Sequence, residues 1–238
     1  MVELLKGDCF DYLKLIKDKS VDMILCDMPY GTTQNKWDTI IPLDKLWKEY
    51  NRITKDNAAI VLFSQQPFTS ILINSNIKKF RYEWIWEKSQ ATGFLNSKKM
   101  PMKCHENVCV FYNKLPLYEP QFEWGGHTHK NRHAPSSNYG TYHQVTTISD
   151  GRRYPKDIIK FNGEHGLHPT QKPIKLLEYL IKTYTKENDL VLDNCMGSGS
   201  TGVACVNTNR NFIGIELNEE YFNVCKERIL QITKSERS

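Results

Sequence analysis

At 238 residues the chain has room for one large α/β domain with a modest insertion, and 39% apolar with 25% charged residues is the balance of an ordinary soluble protein. No apolar run approaches the ~20 residues of a membrane span, and the opening MVELLKGDCF lacks the apolar stretch of a secretion signal, so a cytoplasmic protein is expected. The net charge of +5 is modest but uneven: Lys98–Lys172 holds 11 Lys and Arg against 6 Asp and Glu, plus all seven histidines. A basic solvated surface would look like this, and so would a segment facing a polyanion.

In chain order, Val2–Leu5, Val21–Cys26 and Asn57–Phe63 read as short buried strands. Asp44–Ile53 reads as a helix, with Leu46, Trp47 and Tyr50 on one face, and Pro67 is placed to open another. Arg81–Trp86 and Asn107–Tyr112 look like strands. From about 89 to 165 the text is otherwise polar and weakly periodic. From 168 onward the alternation resumes: a helix carrying Leu176, Leu177, Leu180, Ile181 and Tyr184, a strand Leu190–Asp193, a glycine turn leading a helix to about Thr208, a strand Phe212–Glu216, and a last helix Glu220–Thr233. Strands separated by helices predict a mostly parallel sheet covered on both faces.

Seven dispersed cysteines without a C-x-x-C pair suit reduced thiols better than a disulfide framework. A zinc site drawn from Cys104, Cys109, His127, His129 and His133 is the alternative, although their spacing matches no common finger.

Two stretches carry chemistry. In Val191-Leu-Asp-Asn-Cys-Met-Gly-Ser-Gly-Ser-Thr-Gly-Val-Ala204, a strand runs into Gly197, Gly199 and Gly202 and then a helix. Such a turn lets backbone approach a ligand, and the helix offers free N–H groups. Glu216, at the end of the next strand, is well placed for the two hydroxyls of a ribose. Spacing alone leaves a dinucleotide site, or purely structural glycines, as rivals. The second stretch, Asp27-Met28-Pro29-Tyr30, directly follows the strand Val21–Cys26. A carboxylate and the next backbone carbonyl can accept the two N–H groups of an exocyclic amine, Pro29 holds that carbonyl in aim, and Tyr30 can stack on a flipped base.

These residues resemble the β-class amino-methyltransferases of DNA, particularly the short, phage- or prophage-like adenine type, over nearly the whole chain. Asp27–Tyr30 is similar to the family's D-P-P-Y motif, Asp193–Thr201 to its D-P-F-x-G-S-G-T-T motif, and His168-Pro-Thr-Gln-Lys-Pro173 to its H-P-T-Q-K-P segment. The resemblance implies a circularly permuted Rossmann-like fold: a mostly parallel seven-stranded sheet built from 1–112 and 161–238, with a target-recognition insertion at 113–160. It implies S-adenosylmethionine as cofactor, held by Asp8, His168, Thr170, Lys172, Asp193, Cys195, Gly197, Ser198, Gly199 and Glu216, and N6 of adenine in double-stranded DNA as acceptor. The permutation sets the first strand beside Phe212–Glu216, which brings Asp8 toward the cofactor. A bacterial or phage origin and a homodimer are further expectations. Met28 stands where the family has proline, and Asn194-Cys195 where it has Pro-Phe. Cys195 has no evident base beside it and reads as packing rather than as a nucleophile.

Within the insertion, Lys130, Arg132, Arg152, Arg153, Lys156 and Lys160 can engage phosphates or guanine edges, Asn131, Asn138 and Gln144 can read adenine, and Trp124, Tyr139 and Tyr142 can stack. His105-Glu106 reads as a buried structural pair. The rivals are an N4-cytosine methyltransferase with the same chemistry, amino-methylation of RNA or of protein glutamine, a nicotinamide-linked oxidoreductase that leaves Asp27–Tyr30 without a role, and a silent DNA-binding module.

Overall fold

The computed structural model describes residues 1–31, 38–125, 129–133, 145–163 and 171–235, with the backbone alone for 129–133, 145–149 and 233–235. Contacts divide the chain into two units, Met1–Glu119 with Asp157–Ser238, and Pro120–Lys156.

The larger unit is built on strands β1 (Val2–Lys6), β2 (Val21–Cys26), β3 (Thr54–Ser64), β4 (Phe80–Thr92), β5 (Lys103–Phe111), β10 (Ile158–Phe161), β11 (Leu190–Asp193) and β12 (Asn211–Glu216). They form one sheet in the order β1-β12-β11-β2-β3-β5-β4-β10. Every pairing is parallel except those of β5, which runs antiparallel to both β3 and β4. The sheet therefore has eight strands where seven were expected. The added strand is β10, on the edge beside β4; Ile159 is its one buried residue, so no alternation marks it in the sequence. As the permutation predicts, β1 lies parallel beside β12.

Alternation along the central strands feeds two cores. Met23 and Leu25 of β2, with Val61 and Phe63 of β3, pack with Leu176, Leu180 and Ile181 of α4 (Ile174–Tyr184), Val203 and Ala204 of α5 (Ser200–Asn207), and Cys225 and Ile229 of α6 (Glu219–Ser235). Their neighbours Ile24, Cys26, Ile60 and Leu62 turn to the other face. There they meet Leu13 of α1 (Cys9–Leu13), Leu46, Tyr50 and Ile53 of α2 (Leu43–Ile53), and Phe68 and Leu72 of α3 (Phe68–Ser75). Both faces are thus covered, as a near-continuous apolar parallel strand requires. Among the described residues, no helix is long and apolar enough to cross a membrane.

The smaller unit holds two antiparallel ribbons. One pairs β6 (Glu123–Trp124) with β9 (Arg152–Arg153), and the other pairs β7 (His129–His133) with β8 (Val145–Ser149). Phe122 and Tyr154 pack ring to ring at 4.9 Å.

Candidate active site

Because β1, β12, β11 and β2 run parallel, the residues that follow or end them leave the sheet at one edge: Asp8, Glu216, Asp193 and Asp27. This is the carboxyl edge, where open α/β sheets bind ligands. Lys6 is in register with Glu216, and Gly7 donates its N–H to the Glu216 carbonyl at 2.9 Å. Asp8 is exposed and caps α1, accepting from the Phe10 amide at 2.8 Å.

The glycine turn is organised by Asp193. Its carboxylate accepts from the Thr201 hydroxyl at 2.7 Å and from the Cys195 amide at 3.0 Å, tying the start of α5 to the end of β11. Burial pushes the Asp193 carboxyl up to about 6. Gly197 and Gly199 have φ of +51° and +81°, left-handed values that a side chain rarely adopts. The three glycines do different work. A Cβ on Gly199 would lie 2.3 Å from the Cys225 sulfur, and one on Gly202 would lie 2.7 Å from Ile229, so these two permit helix packing. Only at Gly197 would a Cβ meet open space. Close approach of a ligand, read from all three glycines, thus has room at Gly197 alone.

Gly197 also donates its N–H to Glu216 Oε2 at 2.8 Å, while the Asn218 amide donates to Oε1 at 2.7 Å. Burial raises the Glu216 carboxyl, and these amides oppose that rise. With the Leu217 amide as a third donor, the carboxylate still has acceptor capacity for a further one. A half-buried carboxylate with spare acceptor capacity beside an open turn fits a ribose diol, so the residues present suit an adenosine-bearing cofactor.

Several supports escaped the sequence reading. Arg228 of α6 donates to the Ser198 carbonyl at 2.7 Å and reaches Ser198 Oγ and Ser200 Oγ at 3.2 and 3.3 Å. Ser198 is buried. The Tyr50 hydroxyl donates to Asn194 Oδ1, which gives the Asn at this motif position a buried partner. Cys195 lies by Cys26 and Cys9. A hydrogen bond with Cys26 pulls its thiol down, but burial and the nearby acids leave it raised, unlike an activated nucleophile. Cys104 and Cys109, paired in the zinc alternative, are five positions apart on β5 and so point to opposite faces; Cys104 is exposed and Cys109 buried.

At the end of β2, Asp27 accepts from the Tyr30 hydroxyl through Oδ1 and pairs with the Lys172 ammonium through Oδ2. Asp38 accepts the Tyr30 and Gly31 amides, both at 2.8 Å, and so fixes the backbone that follows Asp27. Met28 is buried in the core that holds Phe68 and Leu72, so the residue replacing proline fills space. The Tyr30 ring stacks on Phe68 at 5.4 Å with the Lys172 ammonium 6.0 Å from its centroid, and a base would have to share it with both. Burial, then the Asp27 charge, holds the Tyr30 phenol well above its ordinary range.

Lys172, expected at the cofactor, is found on Asp27 and, at 3.3 Å, on Glu106. Lys88 pairs with the other Glu106 oxygen at 2.5 Å. Burial pulls the Lys172 ammonium down, but the two carboxylates outweigh it and leave it raised. For Glu106, burial raises the carboxyl, yet Lys172 and Lys88 bring it below its ordinary range. The expected buried pair is split, because Glu106 is buried while His105 is exposed.

Of the DNA candidates, Arg152 and Arg153 are exposed in the smaller unit. Arg152 pairs with Asp150 at 2.6 Å and lies over the Phe122 ring at 5.0 Å. Trp124 is exposed on β6, and Lys130, Asn131 and Arg132 fall on β7. His127, Asn138, Tyr139, Tyr142, Gln144, His168 and Thr170 lie outside the described residues.

Known proteins resemble this chain in sequence and fold. The chain is 27% identical to the Type II methyltransferase M2.MboI of Moraxella bovis, over 96% of this chain and 87% of that protein. It is also 27% identical to the DNA adenine methyltransferase YhdJ of Escherichia coli (strain K12), over 95% and 82%. The crystal structure of the M1.HpyAVI–SAM complex superposes with a TM-score of 0.68 at 26% identity, covering 96% of this chain and 99% of that one. The sequence profile of the DNA methylase family, the N6 and N4 methyltransferases, matches residues 21–227, and the chain belongs to that family.

Proposed function

We propose that the chain methylates N6 of adenine in double-stranded DNA, using S-adenosylmethionine. The observation that carries this is the single edge shared by Asp27, Asp193 and Glu216, at the ends of the neighbouring parallel strands β2, β11 and β12. With strands ~4.8 Å apart, Glu216 lies roughly 10 Å across the sheet from Asp27, a span suited to a ribose at one end and a reacting amine at the other.

Glu216 binds the ribose hydroxyls in this reading, Gly197 leaves room beside them, and Asp193, Thr201 and Arg228 hold the turn. S-adenosylmethionine, when bound, supplies a methyl group made electrophilic by its sulfonium. Asp27 accepts one N–H of the target amine and the Met28 carbonyl accepts the other. The nitrogen lone pair is thereby drawn out of conjugation and aimed, which is catalysis by orientation. The N–C bond forms as the C–S bond breaks, and the nitrogen releases one proton to solvent.

Lys172 acts through Asp27 as a positioning residue, backed by Glu106 and Lys88. Target recognition belongs to Pro120–Lys156, where Phe122, Trp124 and Tyr154 are exposed together with two arginines. Adenine is favoured over cytosine by the aspartate at position 27, where the cytosine enzymes more often carry serine, and by the similarity to an adenine methyltransferase. The cytosine-N4-specific PvuII DNA methyltransferase, at a TM-score of 0.71 and 15% identity, shares the fold alone. Incubation with methyl-labelled S-adenosylmethionine and mixed-sequence DNA, followed by nucleoside analysis, should yield N6-methyladenine. Label in N4-methylcytosine would overturn the base, and no label in DNA would overturn the activity.

A further inference from the structure

The arm formed by β4 and β5 outruns the rest of the sheet. Its ladder continues through Glu87↔His105 and again at Thr92↔Lys103, and every residue from Ser89 to His105 is exposed. β4 runs antiparallel to β5, and β5 antiparallel to β3, so β4 shares the direction of β3 and β2. Its far end therefore leaves the sheet at the edge that carries Asp27.

At the tip, Gly93 takes a φ of +90° and Phe94–Asn96 form one short 3-10 turn. Phe94 is 75% exposed and Leu95 96%, joined by the exposed Met100 and Met102. Lys98, Lys99 and Lys103 are interleaved with them, and Ser89–His105 contains no Asp or Glu. Among the described residues, none of these three lysines is in an ion pair. Apolar side chains displayed together on a stable surface mark an interaction site, and lysines without local counter-charge suit a polyanion. A second copy of the chain would place this cationic tip against another basic protein, whereas duplex DNA matches both the charge and the position.

We propose that the tip Gly93–Lys103 is a DNA-docking element that sets Lys98, Lys99 and Lys103 on phosphates and wedges Phe94 and Leu95 where the target base leaves the duplex. This rests on the reading that the acceptor is a base in double-stranded DNA. A stacked base cannot reach a carboxylate at a sheet edge without being extruded, and apolar side chains pressed into a base step lower that cost. The ladder reaching Thr92↔Lys103 holds the wedge in place.

Two exposed-site variants of the full chain test it. Lys98→Ala/Lys99→Ala/Lys103→Ala should lower affinity for a mixed-sequence duplex by about tenfold or more at low salt. It should also make the slope of log affinity against log salt shallower by about three, with S-adenosylmethionine affinity unchanged. Phe94→Ala/Leu95→Ala should reduce methyl incorporation by more than about tenfold and suppress the fluorescence rise of a 2-aminopurine duplex, while duplex affinity changes far less. An unaltered salt slope in the first variant, or full incorporation in the second, overturns the proposal. So does a changed sedimentation mass with DNA binding intact, which would make the tip a contact of the expected homodimer. If the wild type places no label in DNA, the underlying reading fails, and the salt slopes still decide whether the arm meets DNA.

Discussion

The carboxylates at the carboxyl edge are held in two different ways. Around β11 and β12, Asp193 and Glu216 rest on neutral donors, a hydroxyl and backbone amides, and burial raises both carboxyls. Around β2 and β5, Glu106 is just as secluded, but the ammonium groups of Lys172 and Lys88 hold it low. Neutral donors fix the shape of a turn without adding charge, which suits a surface that recognises hydroxyls. Buried cations hold Glu106 below its ordinary range, and one of them, Lys172, also pairs with Asp27, the carboxylate that must receive an amine N–H. Buried ion pairs contribute little net stability relative to apolar packing. The lysine beneath Asp27 is therefore better explained by the site than by the fold.

The comparison breaks most directly at Asp27. Asp27→Ala should cut turnover by ~10²–10³, the cost of removing one electrostatic group aimed at the reacting centre, and orientation of the amine adds to that loss. Cofactor affinity by calorimetry should be retained, because the loss acts in the transition state. Full activity in a folded variant would remove Asp27 from the mechanism.

Lys172→Met tests whether the charged half serves Asp27. Turnover should fall by more than about tenfold, and stability by roughly 3 kcal/mol, as expected when one partner of a buried pair is lost. Adding Glu106→Gln should return part of the stability, since the buried carboxylate left with Lys88 as its one cation is gone, without returning turnover. A loss of S-adenosylmethionine affinity instead would move Lys172 back to the cofactor. Recovery of turnover along with stability would make its role structural.

How legible each half was follows from what marks it in the chain. β2 and β11 could be bounded to the residue because their apolar runs stop at Asp27 and Asp193. The place of β1 beside β12 followed from motif order. Strand β4 was read only to Trp86, because Glu87–Thr92 is polar on both faces and shows no alternation. The ion pairs of Lys172 join positions 145 and 66 residues away, Asp27 and Glu106, and no local pattern reports such a contact. The grip of Arg228 on the glycine turn was hidden in the same way. Asn194, which looked like a loss against the family motif, has a partner in Tyr50 that only the packing of α2 reveals.

In the neutral half, Glu216→Ala should weaken S-adenosylmethionine binding by roughly 1.5–3 kcal/mol, the range for hydrogen bonds to a charged group. Titration calorimetry reads this directly. Unchanged affinity in a folded variant would leave Glu216 a brace for Gly197 and Asn218 alone.

A pH-dependent effect sharpens the comparison itself. Asp193 titrates at about 6 in the folded chain because burial disfavours its charge. An aspartate in the unfolded chain titrates near ~4. Between those values the folded state keeps a proton that the unfolded state has released, so this group's contribution to stability falls as pH rises. It is most favourable below about 4, declines by at most about 1.4 kcal/mol per pH unit, and is level above the folded value. Asp193→Asn carries no such titration. Denaturant unfolding of both proteins across this range should show the wild type losing ground to the variant as pH rises, then holding a constant offset. A wild type that gains on the variant over the same interval would mean that Asp193 is held ionised. It would then belong with Glu106, and the division of the edge into neutral and charged halves would fail.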